Sequence, residues 1–126
     1  MPNNFAPRRV LVVDDDTLIR WCLAEMLGAG GHVVTQAADG ATALRAVTDA
    51  ATPFDVVLLD YHLPDSHDLT LLAHLRRLSP TSGIVLMTAY GTPDLVAAAQ
   101  HLGVWGVLNK PFDMQNIGTV VSTAAA

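Results

Sequence analysis

Apolar runs recur along the chain, and three of them end on a polar residue of similar kind. Residues 10–13 run into Asp14, residues 56–59 into Asp60, and residues 84–87 into Thr88. Short β-branched runs with no polar alternation read as strands buried on both faces. Between the runs the period changes. Ile19, Cys22, Leu23, Met26 and Leu27 follow helical spacing from Thr17 onward, and the glycine-rich stretch at 28–31 stops the helix. A second strand spans 32–37. Asp39 is placed to cap a helix carrying Ala43, Leu44 and Val47, which Thr52-Pro53 breaks. A third strand covers 54–60, and a loop follows over 61–68. A helix then starts at Leu69 and ends near Ser79-Pro80, and a fourth strand covers 83–88. Thr92-Pro93-Asp94 opens a helix through Leu102, capped by Gly103. Residues 104–109 form a fifth strand, residues 112–121 a weak last helix, and 124–126 a frayed tail. Strand and helix thus alternate throughout, which predicts a mainly parallel α/β sheet with helices on both faces.

The chain has 126 residues, 51% hydrophobic and 15% charged, enough for one domain with its own core and too apolar for a disordered chain. Its formal net charge of -5 lacks the basic footprint of a nucleic-acid binder, so no direct nucleic-acid contact is expected. Cys22 is the single cysteine, which excludes an intrachain disulfide or a cysteine-built metal cage and points to the reducing cytoplasm. No apolar run reaches the ~20 residues of a membrane span. Arg8 and Arg9 precede only a short apolar run, so the N-terminus does not read as a signal peptide.

The candidate chemistry follows from strand direction. In an open parallel sheet all strand carboxyl ends share one rim, and ligands favour the crevice where strand order reverses. If the first and third strands are neighbours, Asp14, Asp15 and Asp60 converge there. Two carboxylates 4 Å apart repel by about 4 kcal/mol at an effective dielectric near 20, so such a cluster needs a proton or a cation. All-oxygen ligands suit a hard divalent ion, with Mg²⁺ the common intracellular one. Lys110, the only lysine, follows the fifth strand on the same rim. Three carboxylates, a metal, the Thr88 hydroxyl and an ammonium make a site for a transferring phosphoryl group.

These residues resemble the receiver domains of two-component response regulators. The resemblance covers about 10–117 and rests on Val12-Val13-Asp14-Asp15-Asp16, Leu58-Leu59-Asp60-Tyr61-His62-Leu63-Pro64, Met87-Thr88-Ala89 and Lys110-Pro111-Phe112, four motifs in order. It implies a flavodoxin-like (CheY-like) doubly wound fold, five parallel strands in the order 2-1-3-4-5 with five helices. It implies one receiver domain over 1–126, with a core at about 8–121 and flexible termini. Asp60 would accept a phosphoryl group from a sensor histidine kinase or a phosphotransfer protein. Asp15 and Asp60 would ligate Mg²⁺ with the His62 backbone carbonyl, and Asp14 would act mainly through a bound water. Lys110 would pair with Asp60 and then with the phosphoryl group. Thr88 would turn toward that group, and the Ala89 amide would donate to it. The fourth helix, fifth strand and fifth helix would meet an output domain or partner protein, with a homodimer as one form. Ile19-Arg20-Trp21 and Ala89-Tyr90-Gly91-Thr92-Pro93 look most like receivers of the NtrC type, which precede an ATPase and a DNA-binding domain.

Departures from the family pattern are informative. Val107 stands where an aromatic switch residue is usual, with Trp105 or Tyr90 as substitutes. Asp68 replaces a loop glycine; Asp tolerates a left-handed backbone but adds negative charge to the loop. Bulky His62 and Tyr90, at positions that tune phosphoryl hydrolysis, imply slow self-dephosphorylation. Each feature also has a bland reading. Asp14-Asp15-Asp16 alone is a strand end with Asp16 as helix cap, Asp60 a turn former, Thr88 structural and Lys110 a surface charge. His32, His67, His74 and His101 read as surface or loop residues. Arg76-Arg77 reads as a solvated helix end, and Trp21, Cys22, Met26, Met87 and Met114 as core. Two other functions compete. Asp14-Asp15-Asp16-Thr17 resembles the aspartate motif of haloacid-dehalogenase-like phosphatases, but Leu18 stands where that motif needs Thr. An inert receiver-like module would lack part of the site. The favoured reading is therefore a phosphoacceptor switch and not a turnover enzyme.

Overall fold

The computed structural model describes residues 6–125. The flexibility expected at the termini concerns in part residues 1–5 and 126, which lie outside that range. Strands β1 (Arg9–Val13), β2 (Val33–Ala37), β3 (Val56–Asp60), β4 (Gly83–Thr88) and β5 (Gly106–Asn109) form one parallel sheet in the order β2-β1-β3-β4-β5. Helices α1 (Thr17–Ala29), α2 (Gly40–Asp49), α3 (Thr70–Leu78), α4 (Pro93–His101) and α5 (Ile117–Ala124) alternate with them. This is the doubly wound α/β fold and strand order that the sequence predicts.

The two-sided burial of the central strands explains their unbroken apolar runs. Leu11, Val13, Val57, Leu59, Ile84 and Leu86 face one layer, packed by Ala43 of α2, by Leu71, Leu72 and Leu75 of α3, and by Ala99 of α4. Their neighbours Val10, Val12, Val56, Leu58, Val85 and Met87 face the other layer, packed by Leu23 and Leu27 of α1 and by Ile117, Val121 and Ala124 of α5. Alternate residues point to opposite faces, so a strand between two helical layers must be apolar at every position. Each fully buried Leu or Ile contributes about 1.5–3 kcal/mol.

Helix starts follow the capping residues. Asp16 accepts from the amides of Leu18 (2.9 Å) and Ile19 (3.1 Å), Asp39 from Thr42 (2.8 Å), and the Thr92 hydroxyl from Leu95 (3.2 Å) with Pro93 in the first turn.

Several expectations are corrected. Gly28 lies inside α1, which ends when the Gly30 amide donates to the Met26 and Leu27 carbonyls. Strand β5 begins at Gly106 rather than 104. Phe112 and Asp113 precede a 3₁₀ turn (Met114–Asn116), which Asp113 caps through the Gln115 amide at 2.9 Å. Trp21 is 56% exposed, because the buried stripe of α1 is narrow and centred on Leu23 and Leu27. His32 is buried, since its Nδ1 accepts from the Arg8 amide at 3.0 Å where β1 and β2 begin. Burial, and then the Arg8 charge, lower the His32 pKa and favour that neutral acceptor. Arg76 is not a solvated charge. Its guanidinium donates to the carbonyls of Gly103 (3.1 Å), Ser79 (2.7 Å) and Ser82 (2.6 Å), joining the end of α3 to the turns beside it. Among the described residues no non-glycine has positive φ, so Asp68 does not adopt a left-handed backbone; its carboxylate instead accepts from the Thr70 amide at 2.9 Å.

Nor is residue 124 frayed. Ala124 is buried, and its carbonyl lies so close to Gly83 that a Cβ there would overlap the oxygen. The end of α5 is thereby seated on the first residue of β4. Gly83→Ala must push the two apart and should cost roughly 1–3 kcal/mol, read as a lower urea midpoint with an unchanged slope.

Candidate functional site

Register brings the polar strand ends together. Val13 pairs with Leu59, so Asp14 and Asp60 are neighbours at the carboxyl rim, where strand order reverses between β1 and β3. Asp60 pairs with Met87, which sets Thr88 one residue beyond, and Thr88 pairs with Asn109. The Lys110 amide donates to the Thr88 carbonyl at 2.8 Å, extending that ladder by one bond.

Asp14, Asp60 and Thr88 are buried; Asp15, His62 and Ala89 are exposed; Lys110 is half-buried. Carboxylate oxygens of Asp14, Asp15 and Asp60 lie within 4.8 Å of one another. The Lys110 Nζ sits 2.8 Å from Asp14 Oδ2 and 3.2 Å from Asp60 Oδ2. Lys110 was expected to pair with Asp60, but it bridges both acids and is nearer Asp14. Asp14 is also held by other protein groups. Its Oδ1 accepts from the Asp16 amide at 2.9 Å, and its carbonyl accepts from Arg20 Nη1 at 2.7 Å. Both its carboxylate oxygens therefore have protein donors.

The electrostatics are those of a crowded acid pair with one cation. Burial, then the negative charge of Asp14, push the Asp60 pKa up to about 6, against the opposing pull of Lys110 and of the His62 amide, which donates to Asp60 Oδ1 at 3.3 Å. Burial alone would lower the Lys110 pKa; the Asp14 hydrogen bond and charge, with those of Asp60, outweigh it and raise the value. Lys110 thus stays an ammonium, while Asp60 ionises fully only above about pH 6.

The Thr88 hydroxyl accepts from the Tyr90 amide at 3.1 Å. Ala89 and Lys110, with Ile19, Pro111, Phe112 and Met114, line an apolar groove of about 380 Å³ beside the acids. Tyr90 is 75% exposed and Trp105 46% exposed, and Val107 packs against the core layer under α2, α3 and α4. The Tyr61 and His62 rings meet edge to face at 5.0 Å.

Three supporting residues escaped sequence reading. Arg20, one turn after the cap Asp16, reaches back to Asp14, and its Nε donates to Gln36 Oε1 at 3.2 Å. Asp65 accepts from the amides of Gly40 (2.8 Å) and Ala41 (3.0 Å), tying the loop after β3 to the positive end of α2. Asn109 Oδ1 accepts from the Gly91 amide at 3.1 Å. The Arg20 contact has a helical spacing that could have suggested it. The other two join residues with no sequence signal between them.

Residues 10–122 match the family model described as response regulator receiver domain. The chain is 36% identical over 115 residues to the DNA-binding transcriptional regulator NtrC of Escherichia coli (strain K12), covering 91% of this chain and 24% of that protein. It therefore spans about a quarter of the length of the NtrC relatives it matches. It is 34% identical over 113 residues to sporulation initiation phosphotransferase F of Bacillus subtilis (strain 168), covering 90% of each. A response regulator from Burkholderia pseudomallei, solved with a phosphorylated aspartic acid, a calcium ion and citrate, superposes with a TM-score of 0.82 at 31% identity, over 94% of this chain and 68% of that one. Fold and site define a phosphorylation-dependent signalling domain. The chain belongs to the response regulator receiver domain family of two-component signalling.

The raised Asp60 pKa carries a pH signature. The folded state holds this proton more tightly than an unfolded chain, whose Asp titrates near 3.8. Its contribution favours folding below that value and is lost as pH rises through about 6. Asp60→Asn should therefore stabilise the domain at pH 7 in EDTA, by about 1–2 kcal/mol after screening in the open crevice, and change it little below pH 4. Urea titrations of both proteins across that range check the sign.

Proposed function

We propose that Asp60 is the phosphoacceptor, and that its phosphorylation sets the state of the α4–β5–α5 face. One observation carries this reading: a buried carboxylate at the switch point of the sheet, with an ammonium at 3.2 Å and two further acids close enough to share a cation. The donor is a phosphohistidine on a sensor kinase or phosphotransfer protein. An Asp60 carboxylate oxygen attacks phosphorus, a P–O bond forms, the P–N bond breaks, and the histidine nitrogen keeps the electron pair.

The donor set suits a hard divalent cation, because every group is oxygen. Asp14, Asp15 and Asp60, with the His62 backbone carbonyl, would hold Mg²⁺, which supplies positive charge against the phosphoryl oxygens. Lys110 supplies the fixed protein charge, its ammonium already shared between Asp14 and Asp60 and available to a phosphoryl oxygen. The Ala89 amide and Thr88 hydroxyl supply donors on the adjoining strand end. Contacts made only in the phosphorylated state bias the fold toward its active surface.

The domain promotes its own phosphotransfer and dephosphorylation rather than turning over an external ester. Similarity to NtrC supports a place, over 1–126, as the N-terminal receiver of a cytoplasmic transcription regulator; similarity to the short Bacillus relative supports a stand-alone relay domain. In either setting the α4–β5–α5 face is the surface for an output domain, a partner protein or a second copy. No helix among the described residues is long and apolar enough to cross a membrane.

Asp60→Asn should abolish labelling by acetyl phosphate, and Lys110→Ala should slow it at least about tenfold. Labelling retained in the Asn variant would assign the chemistry to another carboxylate, and steady-state hydrolysis of a phosphate ester would favour the phosphatase reading. Mg²⁺ affinity, followed by titration of Trp fluorescence, should weaken as pH falls from 7 to 5, because protons compete for Asp60, whose pKa is about 6. A pH-independent affinity would place the ion elsewhere.

A further inference from the structure

Between Thr88 and α4 the chain makes a short loop, and its consecutive amides are held one by one. The Tyr90 amide donates to the Thr88 hydroxyl (3.1 Å), the Gly91 amide to Asn109 Oδ1 (3.1 Å), and the Thr92 amide to the Tyr90 carbonyl (3.0 Å). Thr92 then caps α4 through Leu95. Displacement of this loop therefore reaches the first turn of α4 directly. Gly91 is not among the glycines with positive φ, so turn geometry does not demand glycine there. A Cβ on Gly91 would overlap the Asn109 side-chain oxygen, so any larger residue there displaces that side chain from its contact. Loop and strand end are built to meet at this point.

We propose that Asn109 is a positioning residue, a latch that holds the loop after β4 in its resting place and opposes the switch at Thr88. This inference rests on the phosphoacceptor reading of Asp60 and deepens it. The Thr88 hydroxyl serves the loop in this structure. A rotation that carries it to a phosphoryl oxygen releases the Tyr90 amide, and Asn109 is then the side chain still restraining the next residue. Val107, half-buried against the core layer, has no polar side-chain atom to perform this task, whereas Asn109 stands two residues on, in register with Thr88. Because Asn109 stabilises one state only, removing it shifts the population toward the other.

Asn109→Ala should speed hydrogen exchange of the Gly91 amide in the free protein and raise the affinity for beryllofluoride with Mg²⁺ roughly two- to fivefold, the worth of one exposed hydrogen bond. Asn109→Asp keeps the acceptor oxygen and should restore Gly91 protection. Gly91→Ala should act like Asn109→Ala and add nothing in its background, as expected of two changes to one contact. Unchanged or weaker affinity in Asn109→Ala, or Gly91 exchange equal in all the variants, would overturn the latch. Wild-type protein that binds no beryllofluoride would instead overturn the phosphoacceptor reading, with Gly91 exchange still reporting whether the contact forms.

Discussion

One ammonium balances two buried acids, and much of the molecule is arranged to keep it there. Lys110 reaches Asp14 at 2.8 Å and Asp60 at 3.2 Å at the rim of the sheet, where water is partly excluded and like charges repel strongly. A single positive charge cannot neutralise two carboxylates and Asp15 besides. Burial, and then the negative charge of Asp14, raise the Asp60 pKa, and the surplus of acid makes the crevice receptive to a divalent cation. On the proposed reading, the same imbalance would prepare the site for a phosphoryl group, whose oxygens would need the ammonium and a cation once the acid had reacted. Stability is given up locally for chemistry, in a domain whose two apolar layers can sustain the loss.

The fold supplies what this charge arrangement requires. Parallel strands deliver all their carboxyl ends to one edge, and the reversal of order between β1 and β3 opens a gap there. Around the acids stands a second set of polar contacts. Arg20 holds the Asp14 carbonyl, the Asp16 amide holds its carboxylate, and the Thr88 carbonyl holds Lys110 through the backbone. The loops on either side are pinned by Asp65 and Asn109. A site that must change state is thus surrounded by weak, separable restraints rather than by one rigid wall.

The fold class and the placing of the acids and Lys110 at strand ends were legible because they follow from local rules, whereas the strand order that brings them together came from the resemblance to receiver domains. Residues 10–13, 56–59 and 84–87 are apolar without alternation, which only burial on both faces permits, and each ends on the polar residue that the rim displays. The caps Asp16, Asp39 and Thr92 are likewise short-range chemistry, satisfied within three residues of themselves. What the linear pattern does not carry is distance between remote side chains. Trp21 turned outward and His32 inward because burial depends on what packs above each residue, and a helical stripe or a strand start does not state that.

The chain alone thus determined the alternating α/β architecture and the polar residues displayed at the strand ends, since periodicity and strand-end residues are local properties that topology merely assembles. Tertiary structure alone decided how the charges are shared: that Lys110 lies nearer Asp14 than Asp60, that Arg76 clamps two turns, that Ala124 seats on Gly83 and that Asn109 reaches Gly91. Those contacts join groups up to 96 residues apart and are set by how two helical layers settle on a twisted sheet.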